Sequence, residues 1–222
     1  MGKALTKRFE LIVFDWDGTL LDSAAAIVHA IQAASADLGL PVPTDARARH
    51  VIGLGLSDAL HHAVPELPAE DYPQMVERYR HHYLSNDHEL TLFDGTVELI
   101  ADLHGRGHLL AVATGKSRNG LDRALGFSGL RRYFHATRCA DECFSKPHPA
   151  MLHELMEELG VAAGSCLMIG DTTHDLLMAK NAGVAGLAVS FGAHPVNQLQ
   201  AEAPLACVDT PAELRAWLEA NA

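Results

Sequence analysis

The sequence predicts an α/β fold: a three-layer core built on a mostly parallel sheet, with a helical domain inserted after the first strand. Two observations carry the prediction. Short, nearly continuous apolar runs recur along the chain, and helical patterns separate most of the later ones. Strands buried on both faces read this way, and alternation of strand and helix builds a parallel sheet. Residues 22 to 93 break that rhythm with helical spacing and no convincing strand. The core is therefore expected over 1–21 and 94–222, and the insert over 22–93. At 222 residues the chain is ample for one core with such an insertion.

The first strand is Leu11–Phe14, an apolar run that stops at the charged turn Asp15-Trp16-Asp17-Gly18-Thr19. The insert opens with a helix over 23–38, where Ile27, Ile31, Ala34 and Leu38 fall at helical spacing. Pro41, Pro43, Pro65 and Pro68 mark turns before further helices over 57–63 and 69–86. The core resumes with a helix over 96–104, ended by Gly105 as a C′ glycine, and a strand over 108–114. Further strands are expected over 133–138, 166–170, 184–189 and 205–208. A helix over 147–159 starts at proline and stops at Gly160, with Leu152, Leu155, Met156 and Leu159 on one side. Others cover 172–182, stopped by Gly183, and 211–220.

Charge narrows the function classes. With 17 Lys+Arg against 28 Asp+Glu the net charge is −11, which argues against nucleic acid and against anionic membrane surfaces as partners. No stretch approaches the ~20 apolar residues of a membrane span. The N-terminal run lacks the length and cleavage site of a secretory signal. Four unevenly spread cysteines do not make a disulfide scaffold, so a cytoplasmic setting is the expectation. Cys139 and Cys143 have no partner pair for zinc and read as free thiols.

Chemistry concentrates at the ends of the predicted strands, where parallel sheets bind ligands. Asp15 and Asp17 sit two apart on extended backbone and point the same way, with Trp16 facing opposite. Two carboxylates this close hold a cation or acquire unequal pKa values. Gly18 lets the chain turn with N–H groups exposed to an anion. Gly170-Asp171-Thr172-Thr173-His174-Asp175 also leaves an apolar run and opens a helix, placing Asp171 and Asp175 on its first turn. That pair suits the helix dipole or, with the first, an oxygen-rich Mg²⁺ site. Thr114-Gly115 ends a strand with a hydroxyl, and Lys146 precedes Pro147. Gly115-Lys116-Ser117 is not a P-loop, because the required upstream glycine is Leu110. Lys116 reads as a helix-start residue near the mouth of the site.

In this order and spacing the four segments resemble the haloacid dehalogenase superfamily of phosphohydrolases, over nearly the whole chain. Asp15–Thr19 matches the first signature, Thr114 the second, Lys146-Pro147 the third, and Gly170–Asp175 the fourth. The insert resembles the helical cap of the subgroup containing phosphoglycolate phosphatase and β-phosphoglucomutase. The resemblance implies a Rossmann-like core and a Mg²⁺-dependent phosphatase of small phosphorylated metabolites, with phosphoglycolate as the nearest-family substrate. It implies Asp15 as nucleophile, Asp17 as general acid and base, Thr114 and Lys146 on the phosphoryl group, and Gly18, Thr19 and Gly115 lining the substrate. By the same carry-over Mg²⁺ takes Asp15, the Asp17 backbone carbonyl and Asp171, with Asp175 orienting a metal-bound water or Lys146. The physics agrees: substrate and Asp15 are both anions, so a cation must offset their repulsion in one of the slowest uncatalysed reactions known.

One presence and one absence sharpen this reading. Dehalogenases of this fold lack the second aspartate, which is present here as Asp17. Phosphonoacetaldehyde hydrolases use a cap lysine, and residues 22–93 contain none. Within the cap, the segment containing Arg47, Arg49, Gly53 and Gly55 resembles the part that closes over substrate. Its glycines would allow close backbone approach and its arginines would bind a carboxylate or second phosphate. Leu54 stands where phosphoglycolate phosphatases often carry a polar residue. A phosphomutase, separable by dependence on glucose 1,6-bisphosphate, and a non-catalytic phosphate sensor, which has no use for Asp17, are the rival readings.

Overall fold

A computed structural model describes residues 7–222, the Asn86 side chain aside. The first six residues of the predicted core segment, and with them most of the stretch before the first apolar run, lie outside the described residues.

Six parallel strands form one sheet: β1 (Leu11–Phe14), β2 (Leu109–Thr114), β3 (Ala136–Cys139), β4 (Cys166–Gly170), β5 (Ala185–Val189) and β6 (Cys207–Val208), in the spatial order β3-β2-β1-β4-β5-β6. Every pairing is parallel. Alternating side chains explain the three layers. Leu11, Val13, Ala111, Ala113, Cys166 and Met168 face helices α7 (Ala150–Leu159) and α8 (Thr173–Asn181). Ile12, Phe14, Leu110, Val112, Leu167 and Ile169 face α5 (Thr96–Gly105), α6 (Arg118–Ser128) and α10 (Pro211–Asn221). Burial on both faces is why the strands read as unbroken apolar runs rather than as alternation.

The chain leaves the core through Leu21 and Asp22 and returns through Thr91 to Phe93. The two crossings pair with each other: Asp22 N–H donates to Thr91 O and Phe93 N–H to Leu20 O, each at 3.0 Å. Between them lie α1 (Ala24–Asp37), α2 (Asp45–His50), α3 (Leu56–Ala63) and α4 (Tyr72–Asn86). Ile27, Ile31 and Ala34 of α1 pack with Ala48, Leu60 and Met75 into a cluster separate from the two that flank the sheet.

Several boundaries differ from the sequence expectation. The strand expected over 133–138 is β3 at Ala136–Cys139, because Leu130–Tyr133 closes into a 3₁₀ turn behind Gly129. Gly105 ends α5 from inside, and Gly107 takes the left-handed conformation at φ +81°. Helix α7 starts at Ala150, after the Pro147–Pro149 turn rather than at Pro147. Helices α2, α6 and α9 (Val196–Ala201) have no counterpart among the predicted elements. No helix of the described residues is long and apolar enough to cross a membrane.

Candidate active site

The strand order reverses at β1, which pairs with β2 on one side and β4 on the other. Such a switch point opens a crevice at the carboxyl ends of the strands. Three strands deliver polar residues there: Asp15 after β1, Thr114 closing β2, and Asp171 after β4. All three are buried, as are Lys146 and Asp175.

Lys146 joins two of these segments. Its Nζ lies 2.7 Å from Asp15 Oδ1 and 2.7 Å from Asp175 Oδ1. The contact to Asp175 is a hydrogen bond, and the one to Asp15 is an ion pair without hydrogen-bond alignment. Asp175 is otherwise satisfied by its own helix start, since its Oδ2 accepts from Thr172 N at 3.1 Å and from Thr172 Oγ1 at 2.6 Å. That reciprocal capping box explains why an aspartate sits at the third position of α8. Asp171 Oδ1 accepts from Thr19 Oγ1 at 2.8 Å and Oδ2 from Ala193 N at 2.7 Å. The Ala193 donor, on the loop after β5, carries no signature in the sequence. Asp15 Oδ2 is buried with no partner.

The electrostatics follow from burial. Desolvation pushes Asp15 well above the usual carboxylate range, against the pull of Lys146. It pushes Asp171 up to about 7, assisted by repulsion from Asp175. Burial would lower Lys146, but Asp15 and Asp175 outweigh it and its pKa is raised. The site thus holds three carboxylates for one ammonium. Asp15, Asp171 and Asp175 each offer an oxygen, all within 4.8 Å of one another. An all-oxygen donor set, surplus negative charge and an orphaned buried oxygen on Asp15 fit a hard divalent cation such as Mg²⁺.

Asp17 faces elsewhere. Its Oδ1 accepts from Ser23 Oγ at 2.7 Å and meets Lys116 Nζ at 3.0 Å. It is not among the acidic trio. Gly18 adopts φ +78°, and a Cβ there would collide with the Asp171 carboxylate, so only glycine lets this turn lie against the fourth segment. Thr19 is turned to Asp171, as above. Gly115 touches the inserted helices: a Cβ on it would collide with the backbone carbonyls of Gly53 and Leu54. Gly55 N–H donates to Ser145 Oγ at 2.8 Å, beside Lys146. Gly53 borders the Thr172 side chain. Arg47 is exposed and Arg49 half-buried. Neither guanidinium has a hydrogen bond or ion pair among the described residues.

Lys116 corrects the sequence expectation of a helix-start residue at the mouth of the site. Helix α6 starts at Arg118 behind the Ser117 cap, and Lys116 turns inward onto Asp17. The available signal was its place two residues past a strand-end hydroxyl, in a chain with few lysines.

Comparison with known proteins agrees with this geometry. The haloacid dehalogenase-like hydrolase family matches residues 12–189. The chain is 40% identical to "Probable phosphatase IndB" of Dickeya dadantii, over 92% of this chain and 91% of that protein. It is 34% identical to a 5′-nucleotidase of Pseudomonas aeruginosa, over 96% and 97%. It is 31% identical to a phosphoglycolate phosphatase of Vibrio vulnificus, over 94% and 95%. The crystal structure of a "predicted phosphoglycolate phosphatase" from Haemophilus somnus superposes with a TM-score of 0.85 at 25% identity, over 94% and 97% of the two chains. The chain belongs to the haloacid dehalogenase-like hydrolase family, and within it is a phosphatase.

Proposed function

We propose that the chain hydrolyses small phosphomonoesters through an aspartyl-phosphate on Asp15, phosphoglycolate being the first substrate to test. The supporting observation is the buried set of Asp15, Lys146, Asp171 and Asp175, with one ammonium 2.7 Å from two carboxylates. The residues that would hold Mg²⁺ are Asp15, Asp171 and the backbone carbonyl of Asp17. Bound there, the ion supplies charge neutralisation at the phosphoryl group. Asp175, whose oxygens are taken by Lys146 and Thr172, serves to orient Lys146.

A carboxylate oxygen of Asp15 attacks phosphorus, and the bond from phosphorus to the ester oxygen breaks. Asp17 gives its proton to the departing alkoxide. Lys146 and the Thr114 hydroxyl hold the phosphoryl oxygens. In the second half, water attacks the acyl phosphate and gives its proton to Asp17. Inorganic phosphate leaves, and the Asp15 carboxylate is restored. Residues 22–93 act as the cap, with Gly53 to Gly55 closing against Gly115 and Ser145 to exclude water. The absence of paired cysteines, all four being free thiols, supports a reducing cytoplasmic setting.

The test is phosphate release from a panel of phosphoglycolate, sugar phosphates, nucleotides and pyrophosphate, run with Mg²⁺, with EDTA, and with Asp15→Asn. Release that requires both Mg²⁺ and Asp15 is the expected result. Release that survives Asp15→Asn overturns the mechanism.

A further inference from the structure

Asp17 is the one acid of the site gripped from the inserted helices. Ser23, which precedes α1, donates to its Oδ1 at 2.7 Å. Lys116 Nζ meets the same oxygen at 3.0 Å. Lys116 is itself tied to the insert: its Nζ donates to Tyr83 Oη at 3.0 Å and lies 4.8 Å from the centre of the Tyr83 ring. Tyr83 stacks on Tyr79 of the same helix, centroids 6.0 Å apart and nearly parallel. The Lys116 and Asp17 side chains are only 11% and 10% exposed, so water competes little for these contacts. Among the described residues no hydrogen bond reaches Asp17 Oδ2.

This arrangement immobilises one oxygen of Asp17 and leaves the other available. A carboxyl that delivers a proton to a departing oxygen needs that geometry, and proton transfer is sensitive to it. We infer that Lys116 is a positioning residue for Asp17 and that Tyr83 sets Lys116, so that Asp17 is held in its working orientation only while α4 lies against the core. The inference rests on the acid–base role proposed for Asp17. Lys116 carries no bond-making step. It fixes the rotamer of the residue that does, and the tyrosine makes that rotamer depend on cap closure.

Leaving-group dependence separates positioning from binding and from mere structure. An alkoxide cannot leave unprotonated, whereas 4-nitrophenolate needs little help. The probes are 2-phosphoglycolate or glycerol 3-phosphate, whichever turns over faster, and 4-nitrophenyl phosphate. The quantity read is kcat/KM, which reports the first chemical step. Lys116→Met should lower it about 10²-fold for the alkyl ester. For 4-nitrophenyl phosphate the fall should stay under about 5-fold. Tyr83→Phe keeps the ring and removes only the hydroxyl, and should give the same selectivity at about 10-fold. Equal losses for both substrates, or a rise in KM with kcat unchanged, would overturn the inference. Asp17→Asn is the control. If it loses the alkyl ester selectively and Lys116→Met does not, only the role of Lys116 falls. If Asp17→Asn keeps full alkyl activity, the acid–base reading falls and takes the inference with it.

Discussion

At the scale of single residues the site is organised by unequal satisfaction. Asp175 has a partner on each oxygen, Asp171 one on each, and Asp15 Oδ2 none. A buried carboxylate is costly to leave unpaired, so the oxygen without a protein partner marks where a cation or a phosphoryl group would bind. Asp175 then matters through Lys146. Asp175→Asn keeps the shape and an acceptor for Thr172 N–H but removes the charge that anchors the ammonium. Activity should fall about 10- to 100-fold with the fold intact, the usual effect of disturbing a group that orients a primary ligand. Unchanged steady-state turnover would mean that Lys146 is positioned by Asp15 alone. The four acidic positions were legible in the sequence because strand-end carboxylates two or four residues apart are rare without chemistry. Lys116 was not, because one lysine at a helix start looks the same whether it points to solvent or inward. Ala193 was invisible for a different reason: its contribution is a backbone N–H, which any residue supplies.

At the scale of elements, legibility followed burial. β1, β4 and β5 lie inside the sheet, and their apolar runs fix them to within a residue. β3 is an edge strand, half-exposed at Thr137 and Arg138, and its predicted position slid toward the aromatic residues before it. α6 went unread because its buried residues reduce to Leu121 and Leu125 amid glycines and arginines. The contact between the Gly53–Gly55 segment and Gly115 belongs to this scale, since it sets how closely α2 and α3 approach the core. Gly115→Ala places a methyl against two backbone carbonyls that cannot rotate away. The inserted helices must then stand off. A displacement of about 1 Å can cost 10²-fold in rate, so kcat/KM should fall by at least ~10-fold. The sheet does not need Gly115, so the unfolding free energy should change by no more than ~1–3 kcal/mol, the ordinary range for overpacking. Parallel measurement of turnover and urea unfolding checks both. A large loss of stability with proportionate loss of activity would assign Gly115 to the fold rather than to the approach of the insert.

At the scale of the whole molecule, insert and core are also joined by histidines. The backbone carbonyl of His50 accepts from His174 Nε2 at 2.8 Å and from His194 Nε2 at 3.1 Å, and the three rings cluster within 5.1–5.5 Å of one another. His194 Nδ1 accepts from Thr173 N at 3.1 Å, which requires a neutral ring. Burial, then the neighbouring His174, lowers the His194 pKa from 6.5 to about 4, and burial lowers His174 in the same direction. A histidine depressed in the folded state binds its proton first in the unfolded chain. Its contribution to stability is whole above pH 6.5 and is lost as pH falls toward 4. Asp171, raised to about 7, works in the opposite sense over the same range, gaining stability as pH falls, so the net curve of the native protein does not isolate the histidine. A difference between two variants does, because shared contributions cancel. His194→Gln keeps a donor for His50 O and cannot titrate. Urea unfolding from pH 7 to 4 should show the native protein losing up to about 3 kcal/mol more than this variant, the free energy of a shift of that size. Parallel curves would mean that His194 takes up its proton as readily in the folded protein as in the unfolded chain, so that giving up the bond from Thr173 N–H costs no stability.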